Sequence, residues 1–451
     1  MSARFELELP GGPRRRLAVG WLLLALASLL ASGFFSVLLV LARAPWTKDA
    51  LGVADLFHVA LVVHVDLSVL VWFAAFAGVL WSLACSPRFA DAGWAALALA
   101  AAGALVMSAA PFAGAGRPIM ANYIPVLDEP VFLAGLALFG AGGALLVARS
   151  MLAVQPVGIR ISGAGALRFG LNAALVSAAV ALIAFGWSWL EVPPRLDGKA
   201  FYELLFWGGG HVLQFTWTLL MFVAWLWLAQ ACGAGLPLSP RVAVLLFGVG
   251  LVAAFLTPVV YLAYEVGSVE HHRRLTWLMR FGGGLAILPF GLALLVALAR
   301  RGLPPPEQRP LHAALLASLA LFGTGGVIGA LIHASNDVMV PAHYHGSIVG
   351  VTLAFMGLTY LLLPALGFGT PAPRAAALQP WLYGGGQLLH VAGLLWSGGY
   401  GVQRKVAGAA QALRTPEEIA AMGLMGLGGL IAVCGGLMFL VIVLRSLARS
   451  A

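Results

Sequence analysis

The sequence predicts an all-α polytopic membrane protein with twelve transmembrane helices, and three observations predict it. Hydrophobic residues make up 61% of the 451-residue chain and charged residues only 10%, whereas a soluble domain carries about 25% charged residues. Apolar runs long enough to cross the hydrocarbon layer recur along the whole length. The loops between them are short, so residues 1–451 read as a single membrane domain with a cytoplasmic segment at 1–16.

The spans fall near 17–42, 54–84, 92–115, 130–149, 164–190, 202–231, 241–266, 276–300, 312–333, 338–366, 380–400 and 419–445. Arginines orient them. With the N-terminus inside, Arg14–Arg16 precede span one and Arg88 separates spans two and three. Arg149, Arg160 and Arg168 flank spans four and five, and Arg241 lies between six and seven. Arg300, Arg301 and Arg309 join eight to nine, Arg374 joins ten to eleven, and Arg445 and Arg449 follow twelve. The outer side holds fewer basic residues: Arg43, Lys48, Arg117, Arg195, Lys199, Arg273, Arg274, Arg280, Arg404, Lys405 and Arg414. The bias favours both termini inside. The +9 formal charge therefore reads as topology and not as nucleic-acid binding. Arg14–Arg16 before a long apolar run read as the flank of a first span and not as a cleaved signal. Fifty-six glycines permit close helix packing. Cys85, Cys232 and Cys434 form no CxxC, so neither a disulfide framework nor a zinc ribbon is supported.

On this topology nine of the ten histidines share one outer layer. They are His58, His64, His211, His271, His272, His333, His343, His345 and His390; only His312 is cytoplasmic. Ionisable groups in a bilayer are costly and usually functional. His343 and His345, in VMVPAHYHGSIVGV, stand two residues apart. That step turns a helix by about 200°, so the rings leave on nearly opposite faces and one helix can serve a metal on each side. Histidines capping a helix end are the plainer alternative. His211 sits in WGGGHVLQF and His271–His272 in VEHHRR. Three imidazoles from two neighbouring helices suit one non-haem metal with an open position.

The span-two HVDLSVLVW, the span-six GHVLQF, the HH after span seven and the AHYH of span ten occur in this order and on one side. Together they resemble the catalytic subunit of the haem–copper oxidase superfamily, which includes terminal oxidases and nitric oxide reductases. The resemblance covers all twelve spans. It implies two haems, one low-spin and one high-spin, taken as b-type, and one non-haem metal, copper or iron. By the same resemblance, His64 and His345 are axial ligands of the low-spin haem and His343 the ligand of the high-spin haem. His211, His271 and His272 are then ligands of the non-haem metal. His58 competes with His64, but the two point to different faces, and His58 is expected in a hydrogen-bonded structural role. Arg404 and Lys405 are expected at haem propionates. His333, Asn336 and Asp337, just before span ten, are expected near propionates or a cation. Asn122, Tyr123 and Glu129 in NYIPVLDEP read as a loop turn, with a cation site as the alternative.

Dioxygen-reducing members carry a tyrosine four residues after the span-six histidine, or one in span seven. Nitric oxide reductases of the ordinary kind carry a glutamate at the former position. Here that position is Phe215. Tyr261 and Tyr264 lie in span seven, and the nearest polar candidates are Gln214 and Glu265, with Glu265 expected to be buried about two turns from the histidines. Three imidazoles alone favour copper, and Glu265 as a further ligand would favour iron. The cytoplasmic halves of the spans hold almost no Asp, Glu, Lys or Thr for a proton channel. Reduction of NO to N₂O, at an atypical site with protons from Glu265, Glu270 or Glu203, is therefore the expected activity. A terminal oxidase using Tyr261 or Tyr264 is the alternative, and a proton-relaying transporter the non-redox one. The chain holds no CxxCH and no copper-binding cysteine pair. Electrons must then arrive from a partner subunit, a soluble cytochrome c or quinol, in a bacterial or archaeal cytoplasmic membrane.

Overall fold

The structure is a computed structural model and describes residues 4–47, 57–114, 116–332, 337–406 and 411–449. Among the described residues, twelve long helices stand where twelve spans are expected. They are α1 (Gly12–Arg43), α2 (Phe57–Ala84), α3 (Ala90–Ala113), α4 (Pro130–Leu152), α5 (Gly163–Glu191) and α6 (Gly198–Ala231). They continue as α7 (Pro240–Ala263), α8 (Val269–Arg301), α9 (Pro306–Leu331), α10 (Met339–Ala365), α11 (Pro373–Gly398) and α12 (Pro416–Leu447). Eleven are apolar and long enough to cross a membrane; in α11, Gln379, Gln387 and His390 dilute the apolar run. One hairpin, β1 (Arg117–Ile119) and β2 (Val126–Asp128), joins α3 to α4, with Pro118 opposite Leu127.

Helix ends follow local chemistry. Ser162, Ser239, Ser268 and Thr415 cap α5, α7, α8 and α12, each side-chain oxygen accepting a backbone N–H three residues on. Proline at the first turn starts α4, α7, α11 and α12. Two boundaries differ from the expected ones in ways that matter below. Span seven stops at Ala263, because Tyr264 is extended and Gly267 takes φ +98°. Span eight then begins at Val269 instead of 276, so His271 and His272 lie in its first turn.

The chain packs as two compact units, Met1–Ser28 with Val65–Gly302, and Leu29–His64 with Leu303–Ala451. In the first, α3 lies along α4 and α5 packs on α6 and α7; in the second, α9 lies along α10 and α11 along α12. Both rely on small residues where backbones meet. A Cβ on Gly386 or Gly393 of α11 would strike the backbone of α12, and one on Gly428 or Gly435 of α12 would strike α11. These pairs repeat every seven residues along one stripe, which lets dispersion contacts replace the hydrophobic drive that lipid removes. Large side chains such as Leu105, Phe112, Leu262 and Leu288 instead face outward, as a lipid-facing surface requires. Cys85 and Cys232 are buried free thiols and Cys434 is exposed and free. Burial pushes the Cys85 thiol, beyond the end of α2, up to about 11.

Replacing Gly393 with leucine is expected to cost about 1–3 kcal/mol through overpacking at this crossing. Thermal unfolding in detergent should show a lowered midpoint, and an unchanged midpoint would contradict the backbone contact.

Candidate redox-metal site

His211 points inward from α6 and is only 3% exposed. Its Nδ1 lies 2.7 Å from the carbonyl oxygen of Trp207, one turn earlier. A carbonyl only accepts, so Nδ1 carries the proton and donates it, and Nε2 keeps a lone pair. The Tyr123 hydroxyl donates to that Nε2 at 2.9 Å. Trp207 is the centre of this group. Its ring lies 4.7 Å from the His211 ring and stacks on His272 at 3.4 Å between centroids, while its indole N–H donates to the His272 carbonyl. His271 is 2% exposed, and its Nε2 has no hydrogen-bond partner among the described residues. The Tyr261 ring meets the His271 ring edge-on at 4.7 Å.

The three glycines before His211 each make room for a neighbour. A Cβ on Gly208 would collide with the Tyr261 hydroxyl, one on Gly209 with the Phe185 ring, and one on Gly210 with the Tyr123 ring. The loop bearing Tyr123 is tied to α6 by Glu203, whose carboxylate accepts from the Asn122 backbone N–H at 3.1 Å and from the Asn122 side-chain amide.

The second unit orients its imidazoles by the same rule. His343 Nδ1 donates to the Gly325 carbonyl of α9 at 2.7 Å, and Gly329 leaves space for its ring. His345 Nδ1 donates to Gln387 Oε1 of α11 at 3.2 Å. Adjacent on α10, the two rings thus serve different neighbours. His64 Nδ1 lies 3.1 Å from the Ser32 carbonyl and 2.9 Å from its hydroxyl. His390 Nδ1 donates to the Met425 carbonyl at 2.9 Å, and its ring lies 4.4 Å from that of His345. His58 Nε2 donates to the Lys405 carbonyl at 2.9 Å. The loop after α11 folds back on the start of α10, through Val338 N–H to the Val402 carbonyl at 3.0 Å and a bridge of Asp337 to Gln403. That places half-buried Arg404 and Lys405 beside the end of α10 that carries the histidine pair. His333 and Asn336 lie outside the described residues.

Two of the expected polar residues, Glu265 and Tyr264, are placed elsewhere. Glu265 is exposed in the turn between α7 and α8 and is not buried below the histidines, because α7 ends two residues before it. Tyr264 sits in the same turn with the Arg274 guanidinium 5.9 Å over its ring. Gln214 is half-buried on α6, where its carbonyl accepts the Thr218 hydroxyl. Phe215 is buried. Trp207, Gln387, Gly325 and Ser32 went unnoticed in the sequence; only Trp207, one turn before His211, offered a periodic signal. Asp66 also escaped notice. It is 1% exposed at the start of the π-helical turn Asp66–Val71, with neither carboxylate oxygen hydrogen-bonded among the described residues.

A sequence model of the family "Cytochrome C and Quinol oxidase polypeptide I" matches residues 16–432. The chain belongs to this family. It is thus a subunit I-like member of the haem–copper oxidases, a family of membrane oxidoreductases that bind two haems and a copper or iron centre. It is similar to the uncharacterized protein RP382 of Rickettsia prowazekii (strain Madrid E), 27% identical over 94% of this chain and 95% of that protein. It is also similar to an uncharacterized protein of Aquifex aeolicus (strain VF5), 28% identical over 77% of this chain and 85% of that protein. A cryo-EM structure of a heme-copper terminal oxidase dimer has the same fold, with a TM-score of 0.77 at 17% identity, over 97% of this chain and 84% of that one.

The residues present suit the family's metal groups. Four imidazoles (His64, His211, His343 and His345) have Nδ1 committed to an oxygen, which leaves Nε2 as the nitrogen that could hold a metal. The buried Nε2 of His271 has no hydrogen-bond partner among the described residues, and a metal would satisfy it. Among the described residues, however, no three His, Cys, Asp or Glu side chains already close around one point.

Tyr261 is engaged with α5, its hydroxyl 2.7 Å from Ser188 Oγ and 3.2 Å from the Ala184 carbonyl. Tyr261→Phe is therefore expected to lower stability by about 1–2 kcal/mol and leave haem spectra unchanged. A spectral change without a stability change would give this phenol a place at the metal instead.

Proposed function

We propose that this protein reduces nitric oxide to nitrous oxide in a bacterial cytoplasmic membrane: two NO, two electrons and two protons give N₂O and water. The observation that carries this reading is the fate of the oxidase tyrosines. Phe215 stands buried at the span-six position, and the span-seven phenol of Tyr261 is spent on Ser188 and Ala184. A two-electron reduction needs no such phenol. In this reading His64 and His345 hold the low-spin haem, His343 the high-spin haem, and His211, His271 and His272 the non-haem metal. Gly325 and Gln387 fix the tautomers of His343 and His345, which raises ligand basicity and sets ring direction. Arg404 and Lys405, drawn in by the folded-back loop, match propionate carboxylates. When bound, the metals would supply electrons and polarise the N–O bond. Exposed Glu270, in the first turn of α8, is placed to pass protons from the outer side. Electrons would come from a partner subunit, a soluble cytochrome c or quinol.

One observation favours dioxygen as the substrate: Tyr123 brings a phenol to His211 from a loop. Consumption of NO and of O₂ by the purified protein with an artificial donor separates the two readings. Faster NO turnover is expected, and turnover of O₂ alone would reject the proposal. His345→Ala should abolish the low-spin haem spectrum, and an intact low-spin spectrum in this variant would remove His345 from the ligand set. His211→Ala should retain both haems yet lose the non-haem metal and turnover.

A further inference from the structure

The hydroxyl of Tyr123 lies beside the one nitrogen of His211 that has electrons to give. The Trp207 carbonyl accepts the Nδ1–H, so Nε2 keeps its lone pair, and Tyr123 Oη lies 2.9 Å from that nitrogen. Two donor atoms, each about 2.0–2.1 Å from one ion and at roughly a right angle, stand about 2.9 Å apart. At the tetrahedral angle the same donors stand about 3.3 Å apart, so the phenol and the imidazole are within a few tenths of an ångström of the separation of neighbouring ligands.

The phenol is also held there by built features. Gly210 is the notch in α6 that admits the ring. Glu203 clamps Asn122, the preceding residue, through both its backbone and its side-chain amide. The Trp207 ring meets the Tyr123 ring edge-on at 5.6 Å between centroids. His271 packs against Tyr261, the ring that Gly208 admits, and its buried Nε2 has no hydrogen-bond partner among the described residues. Phe215 supplies no oxygen donor at the position four residues after His211, and Glu265 is exposed in the turn between α7 and α8.

We infer that Tyr123 is an oxygen ligand of the non-haem metal, delivered by the loop between α3 and α4. This rests on the reading that His211 and His271 hold that metal. On metal binding the phenol O–H breaks, the oxygen binds the ion and the proton leaves to water. A phenolate beside imidazoles is a harder donor set than imidazoles alone, which shifts preference from copper towards iron.

The test uses the purified holoprotein, ring-deuterated at tyrosine, with resonance Raman spectra and metal analysis during challenge with a chelator. Wild type should show tyrosine bands that shift on deuteration. Tyr123→Phe should lose these bands and release the non-haem metal at a chelator concentration at least about tenfold lower, with both haem spectra intact. Asn122→Ala, which releases the clamp and keeps the phenol, should weaken the bands and fall between the two in metal retention. Equal metal retention in wild type and Tyr123→Phe, or no deuterium-sensitive band in wild type, overturns the inference while leaving the histidine site standing. Retention of the non-haem metal in His211→Ala overturns the underlying reading as well.

Discussion

A buried imidazole has one N–H to satisfy, and in a lipid-embedded bundle water cannot satisfy it. Much of the arrangement follows from that constraint. His211, His343, His345, His64 and His390 each give the Nδ1 proton to an oxygen on their own or an adjacent helix. The obligation to pair one nitrogen decides the direction of the other. What satisfies the hydrogen bond thus also prepares a ligand, and the carbonyls of Trp207 and Gly325 set ring orientation as firmly as packing does.

Glycine supplies the space. The device that brings α11 and α12 into backbone contact also opens the pockets into which functional rings fit. Gly329 makes way for His343, and Gly208, Gly209 and Gly210 make way for Tyr261, Phe185 and Tyr123. The triglycine before His211 is therefore a seat for three aromatic rings. A side chain at any of the three would displace one ring from the surroundings of the histidines.

In the second unit, polar contacts tie the helix ends and loops near the histidines. Arg43 donates to Gln411 Oε1 at 3.3 Å, and Asp337 bridges to Gln403. His58, which competes with His64 in the sequence, donates to the Lys405 carbonyl, where Lys405 adopts φ +61°. A left-handed lysine is strained, and this hydrogen bond helps to hold it beside Arg404. In the first unit, Glu203 plays the corresponding part by tying the α3–α4 loop to α6.

Composition and hydrophobic run length alone determined the class and the twelve helices, because in lipid a backbone without water has few options beyond the helix, and the family was legible in the order and spacing of the histidine motifs. The spacing of His343 and His345 alone placed their rings on different faces, since helical pitch is a local property. Other features had no local signal. The end of α7 at Ala263, which exposes Glu265, depends on a turn made by Gly267. The partners Gly325 and Gln387 lie 18 and 42 residues from the histidines they orient. Tyr123, which reads as part of a turn, reaches His211 across 88 residues only because Glu203 and Gly210 receive its loop. Pairings between helices are set by which backbones approach closely, and that is decided in three dimensions.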